Sequence, residues 1–269
     1  PFRAIHPSIY TRPTLLPGYA NLDGKRVAAE GHGHAPEMDI GFIMYSDDEG
    51  ETWTQGKGKI YIWHLDGFGG MLPCDEPSIA PTSDGQLLMF MRTTLGVIYQ
   101  SWSEDEGETW TMPEPTQLSN SYSPARLRAI PGTGDLVCVW NQVSAREIEL
   151  GGRRCRLSSA VSKDNGKTWE YFKTIESGGV DKNVGWVRPP AQPSFIRSFD
   201  EIGDLPDDWG MFGYANLNFV GDNAFLEYEY RVGAYATDEE DGRGGWKMGW
   251  KTDGRKRRVL PINWFYTNN

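Results

Sequence analysis

Ser103-Glu104-Asp105-Glu106-Gly107-Glu108-Thr109-Trp110 reads S-x-D-x-G-x-T-W, and the chain carries that pattern three times. Ser46-Asp47-Asp48-Glu49-Gly50-Glu51-Thr52-Trp53 is the upstream copy and Ser162-Lys163-Asp164-Asn165-Gly166-Lys167-Thr168-Trp169 the downstream one. The copies start at 46, 103 and 162, so they stand 57 and 59 residues apart. Self-similarity at a near-constant period marks a repeated structural unit. Within each copy the Asp carboxylate is suited to accept hydrogen bonds from turn amides. The Gly permits a positive φ, and the Trp offers a large ring to bury against a neighbouring sheet. An apolar run precedes each copy, which places it on a hairpin turn. The residue types are those of a structural turn, and no catalytic role is assigned to them.

Outward from these turns the chain is punctuated as a β protein. Short apolar runs at 25–30, 40–45, 86–91, 97–102, 136–140, 157–161 and 224–230 are bounded by Gly, Asp and Pro, and no long amphipathic helix is visible. Asp23-Gly24, Asp84-Gly85, Gly134-Asp135 and Gly221-Asp222 each precede an apolar run. Three of these pairs lead to a copy of the octapeptide; the fourth leads to Thr237-Asp238-Glu239-Glu240-Asp241-Gly242, which reads as a degenerate copy. Four repeat units are therefore recognisable. At roughly 40–50 residues per unit, the 269 residues accommodate five or six, in one domain over 1–269.

The composition, 38% hydrophobic and 24% charged, is that of a folded globular chain. No apolar run approaches the ~18 residues of a membrane span. Residues 1–10 lack the apolar core of a secretory signal, as a processed chain also would; a secreted or periplasmic location is marginally favoured. The formal net charge is −10 and basic residues cluster only at Arg255-Lys256-Arg257-Arg258, which argues against nucleic acid as a partner. Cys74, Cys138 and Cys155 are an odd number, which argues against a disulfide framework and for small buried hydrophobes. No Cys/His cluster suggests a metal, and no cofactor is implied.

The three octapeptides resemble the Asp-box, or BNR, repeats of sialidases. The resemblance implies an all-β, sialidase-like β-propeller of four-stranded antiparallel blades, six in the complete ring, with the boxes on the outer rim away from the active site. It extends further. Glu76-Pro77-Ser78-Ile79-Ala80 followed by Asp84-Gly85-Gln86-Leu87-Leu88-Met89-Phe90-Met91-Arg92 is similar to the sialidase stretch in which a Glu supporting the nucleophile leads a strand pair ending in a carboxylate-binding Arg. Glu76 and Arg92 match those positions. Gly152-Arg153-Arg154 resembles the stretch bearing another such arginine, with Arg154 the better match and Arg153 the alternative. Gly213-Tyr214-Ala215-Asn216-Leu217 resembles the segment of the nucleophilic tyrosine, matched by Tyr214.

The chemistry suits an acidic sugar. Arginine's planar fork grips a carboxylate in two places. A carboxylate on the anomeric carbon repels an anionic nucleophile, whereas a neutral phenol avoids that repulsion, and sialidases are the tyrosine exception among glycosidases. The resemblance weakens at the N-terminal end. Arg12-Pro13-Thr14 is a poor echo of the motif that supplies the family's first arginine. The loop ahead of the first box, Gly31-His32-Gly33-His34-Ala35-Pro36-Glu37-Met38-Asp39, puts His34 near the place of the acid/base Asp, with Asp39 close behind. Either the first visible blade is the third of six, with the opening blades outside this chain, or the ring is smaller and the site rebuilt; the first is preferred. The expected activity is hydrolysis of a terminal sialic acid or other acidic sugar, with Tyr214 as nucleophile, Glu76 as its base partner, Arg92 and Arg154 as clamp, Arg12 as a weaker substrate-binding candidate and His34 or Asp39 as acid/base. Two alternatives stay open: a uronic-acid lyase using His34, Tyr214 and Arg92, and a carbohydrate-binding propeller without turnover.

Overall fold

The computed structural model describes residues 4–11, 40–48, 51–64, 70–72, 75–93, 95–149, 154–178, 184–189, 207–240 and 246–267. Strands dominate it. The first sheet joins β1 (Ala4–Thr11), β2 (Ile40–Ser46) and β3 (Thr54–Gln55). A hairpin follows, β4 (Ile62–His64) with β5 (Gly70–Leu72). The second sheet is the meander β6 (Asp75–Pro81), β7 (Leu87–Arg92), β8 (Val97–Ser103) and β9 (Glu114–Ser119). The third repeats it as β10 (Arg126–Ala129), β11 (Leu136–Trp140), β12 (Arg156–Ser162) and β13 (Glu170–Ser177), with one short helix, α1 (Ala145–Glu149), between β11 and β12. The last sheet contains β14 (Gly210–Val220), β15 (Asn223–Glu240) and β16 (Trp246–Pro261), closed by a 3-10 turn over Ile262–Tyr266. All pairings are antiparallel.

The sheets stack face to face, and period-2 alternation explains how. On β11, Leu136, Cys138 and Trp140 enter the core shared with the second sheet, while Val137 and Val139 enter the core shared with the last one. On β7, Leu88 and Phe90 face the third sheet, and Met89 and Met91 pack with Ile43, Ile60 and Ile62 of the preceding part of the chain. Both faces of these central strands are buried, so they read as continuous apolar runs. The first strands of successive sheets lie side by side, with β10 against both β6 and β14. This is the blade stacking of a propeller.

Two sheets have the expected four strands; the first and last have three, and the β4–β5 hairpin was not foreseen. Four blades are visible among the described residues, and six are not shown. The last blade gains extent by length instead of strand number, since β15 and β16 run 18 and 16 residues. That length absorbs Thr237–Glu240, read above as part of a degenerate box, into the end of β15. Asp23-Gly24 and the apolar run at 25–30 lie outside the described residues.

The boxes are the expected turns. In the third, the Asp164 carboxylate accepts from the Thr168 amide at 2.8 Å, the Thr168 hydroxyl at 2.6 Å and the Ser162 hydroxyl at 2.8 Å. The second repeats this at Asp105 and the first at Asp48. Gly107 and Gly166 have φ of 91° and 93°, as the motif requires. Trp169 packs on Phe90 of the preceding sheet, ring centroids 5.4 Å apart, and Trp110 packs on the core containing Ile43 and Ile60. Trp53 departs from the expectation and is 42% exposed. Each of the other two box Trp residues docks on the part of the chain before its own sheet, and among the described residues no sheet precedes the first.

Candidate functional site

Glu76 and Arg92 meet because Asp75 pairs with Arg92 across the β6–β7 ladder, and a bulge between Asp75 and Ser78 turns Glu76 out of register. A Glu76 Oε2 and Arg92 Nη1 ion pair of 2.5 Å results, with Arg92 only 8% exposed. The guanidinium also lies 3.9 Å from the centroid of the Tyr122 ring, a cation–π arrangement. Tyr122 is held there by a tight turn, in which the Asn120 side chain accepts from the Ser123 amide and donates to the Ser123 carbonyl, both at 3.0 Å.

That turn connects the two halves of the site. The hydroxyl of Ser121, beside Tyr122, accepts the Arg154 amide at 3.1 Å. The Arg154 carbonyl accepts the Phe212 amide at 2.8 Å, and the buried Asn141 donates to the carbonyls of Arg156 at 2.9 Å and Phe212 at 2.7 Å. The entrance to β12 is thereby fastened to β14. Arg154 stacks on Tyr214, its guanidinium carbon 4.6 Å from the ring centroid. Gly213 makes room, since a Cβ there would stand 3.3 Å from Arg154 Cδ. Tyr214 falls in the bulge between Gly213 and Asn216, outside the β14–β15 ladder.

Arg154 is 4% exposed, and Tyr214, on which it stacks, is 43% exposed. No carboxylate or carbonyl meets the Arg154 guanidinium among the described residues, and its Nε is buried without a partner. The Tyr214 hydroxyl likewise has no hydrogen bond among them, so Glu76 is engaged with Arg92 and not with Tyr214. Seven described non-glycine residues have positive φ. Four are Glu76 (41°), Tyr122 (55°), Arg154 (59°) and Tyr214 (48°). Each such residue costs on the order of 1–3 kcal/mol, and strain of this kind concentrates at functional sites.

Beneath Arg154 lies a fully buried ion pair, Arg156 Nη2 to Glu147 Oε1 at 2.7 Å. Glu147 also closes a capping box on α1, accepting the Ser144 amide at 2.7 Å while its own amide donates to Ser144 Oγ at 3.1 Å. The boxes are remote from all of this. Ser103 pairs with Leu87, at the far end of β7 from Arg92, about 17 Å away at ~3.3 Å per residue.

Arg12, His34 and Asp39, together with Cys74 and Arg153, lie outside the described residues. Among the described residues no group of three or more His, Cys, Asp or Glu is placed to hold a metal ion, and no helix is long and apolar enough to cross a membrane. Cys138 and Cys155 are buried and free, and burial raises both thiols well above their usual range, which makes them poor nucleophiles. Tyr122 and Ser121 were not singled out in the sequence; their signal is the turn chemistry of Asn120-Ser121-Tyr122-Ser123-Pro124.

A family profile described as BNR repeat-like domain matches residues 9–231. No curated protein sequence matches the chain. Among solved structures, the Trypanosoma rangeli sialidase in complex with the inhibitor DANA aligns at TM-score 0.45 and 16% identity, covering 72% of this chain and 26% of that one. A point mutant of NanB sialidase from Streptococcus pneumoniae aligns at 0.49 and 16%, covering 83% and 28%. A point mutant of an α-L-arabinofuranosidase from Fusarium graminearum, in complex with an iminosugar inhibitor, aligns at 0.39 and 15%, covering 58% and 40%. The chain spans about a quarter of the length of the solved sialidases it matches. On the profile match over most of its length, and on the three boxes it carries, the chain belongs to the BNR repeat-like domain family.

Proposed function

We propose that this chain carries the carbohydrate-binding half of a glycosidase site for a terminal acidic sugar, sialic acid or a relative. The observation that carries the reading is Arg154: buried, in no ion pair among the described residues, and stacked on the exposed Tyr214. A buried charge is costly unless paired, and the carboxylate of an acidic sugar supplies the missing partner through bidentate hydrogen bonds. With the carboxylate held there, the anomeric carbon that bears it comes to Tyr214. The phenol attacks that carbon as the aglycone leaves, the leaving oxygen taking a proton from an acid and the phenol passing its own to a base. Water then displaces the tyrosyl sugar. Glu76 accepts the phenolic proton in this scheme, which requires it to loosen from Arg92. His34 or Asp39 serves as the acid/base, and Arg92 joins the clamp.

A second reading, sugar binding without turnover, draws support from the engagement of Glu76 by Arg92. Release of fluorophore from an aryl sialoside separates the two. The enzymatic reading expects turnover by the chain and a loss of at least about 100-fold in kcat for Tyr214→Phe. Equal rates in wild type and variant remove Tyr214 from the reaction; saturable binding with no turnover favours the second reading.

A further inference from the structure

Along β10 the side chains alternate. Ala125, Leu127 and Ala129 pack into the core between the two four-stranded sheets, while Ile130 enters the core shared with the last sheet. Arg126 and Arg128 share the Ile130 face and so project toward β14. Arg126 Nε donates to the carbonyl of Ala215 at 3.2 Å, immediately after Tyr214. Arg128 Nη1 donates to the carbonyl of Leu127 at 2.9 Å. No carboxylate pairs with either arginine among the described residues, and the terminal nitrogens of Arg126 are neither hydrogen-bonded there nor sealed from solvent. Burial lowers the pKa of both guanidinium groups, and the charge of Arg126 adds to the lowering at Arg128. Two half-buried like charges on one strand face, with no acid between them, are unfavourable for the fold by itself. They are favourable for an anion at the mouth of the same strand.

Resting on the acidic-sugar reading above, we propose that Arg126 is a further substrate-contacting and specificity-determining residue, whose terminal nitrogens bind the carboxylate of the sugar lodged at Tyr214. Arg126 is pre-positioned for this. Its Nε is fixed on the backbone of the tyrosine's own strand, so little rotamer freedom is lost when the outer edge of the fork meets a ligand. Arg128, two residues deeper, adds positive potential below that contact.

The test is calorimetric titration of sialic acid and of its carboxyl methyl ester into wild type, Arg126→Gln, Arg126→Lys and Arg154→Gln, with thermal midpoints as the folding control. The expected result is a preference of wild type for the acid. In Arg126→Gln, acid affinity falls about tenfold or more, about 1.4 kcal/mol, with ester affinity unchanged. Acid affinity within twofold of wild type in Arg126→Gln, together with its loss in Arg154→Gln, overturns the proposal for Arg126 and leaves the acidic-sugar reading standing. A wild type without acid-over-ester preference overturns both. Should the Gln variant not fold, Arg126→Lys decides: a few-fold loss confined to the acid supports the proposal, and wild-type affinity for both ligands overturns it.

Discussion

On the proposed function, Arg154 is the residue at which stability and function part company. Its guanidinium is buried in no ion pair among the described residues, so Arg154→Met, which keeps volume and removes the charge, is expected to stabilise the chain by about 1–3 kcal/mol while abolishing preference for an acidic sugar. Denaturant midpoints and ligand titrations on the same samples check both halves; a destabilised variant contradicts the assignment of Arg154 as an unpaired charge. The sequence proposed Tyr214, Arg154, Glu76 and Arg92 because their order and their places beside strand ends match a family pattern. It offered no such match for Tyr122 or Arg126. Tyr122 sits in a turn with no periodic signal, and its cation–π contact crosses some 30 residues from Arg92 to Tyr122. Arg126 reads as an ordinary alternating strand residue until β14 is laid beside β10. What escaped the sequence was the pairing of Glu76: its match suggested a partner in Tyr214, but the β6–β7 register delivers it to Arg92.

The box turns and the cap of α1 are the elements that hold the strands in place. At Asp48, the Thr52 hydroxyl and amide hold the carboxyl down to about 2 from an ordinary 3.8. At Asp105 and Asp164 burial opposes, but the threonine and serine bonds prevail and lower both. A depressed folded-state pKa contributes stability that is complete above the unfolded value and lost as pH falls through the folded one. The thermal midpoint is therefore expected to fall between about pH 4 and pH 2, and less steeply in Asp164→Asn, which costs about 1 kcal/mol at neutral pH. Gly166→Ala is expected to cost more, about 2–4 kcal/mol, because φ is +93° and the new Cβ would stand 2.3 Å from Leu88 Cδ2. Glu147→Gln leaves Arg156 buried and uncompensated; a loss of about 3–5 kcal/mol in a denaturant titration is expected. The strands themselves were readable: 136–140 is β11 without change, 97–102 differs from β8 by one residue at one end, and 86–91 and 157–161 differ from β7 and β12 by one residue at each end. The length of β15 was not, because residues 231–240 lack the apolar signal of a buried strand and are ordered through pairing with β16.

Over the whole molecule, the stacking of blades puts the boxes at one end of the strands and Glu76, Tyr122, Arg154 and Tyr214 at the other. Box variants such as Asp164→Asn are thus expected to lower the thermal midpoint without altering affinity for an acidic sugar, and Arg154 variants to do the reverse. The sequence period revealed the blades, but blade number depends on chain segments without a box, such as β4–β5, and these carry no repeat to count. The central claim is that Tyr214, clasped by Arg154, is the reacting centre for an acidic sugar. A sialic acid derivative made electrophilic at its anomeric carbon and slowed by a neighbouring fluorine tests it by intact-mass and peptide mapping. One added sugar on the peptide containing Tyr214, absent from Tyr214→Phe, is the expected result. A sugar found on another residue, or turnover of a sialoside undiminished in Tyr214→Phe, would contradict it.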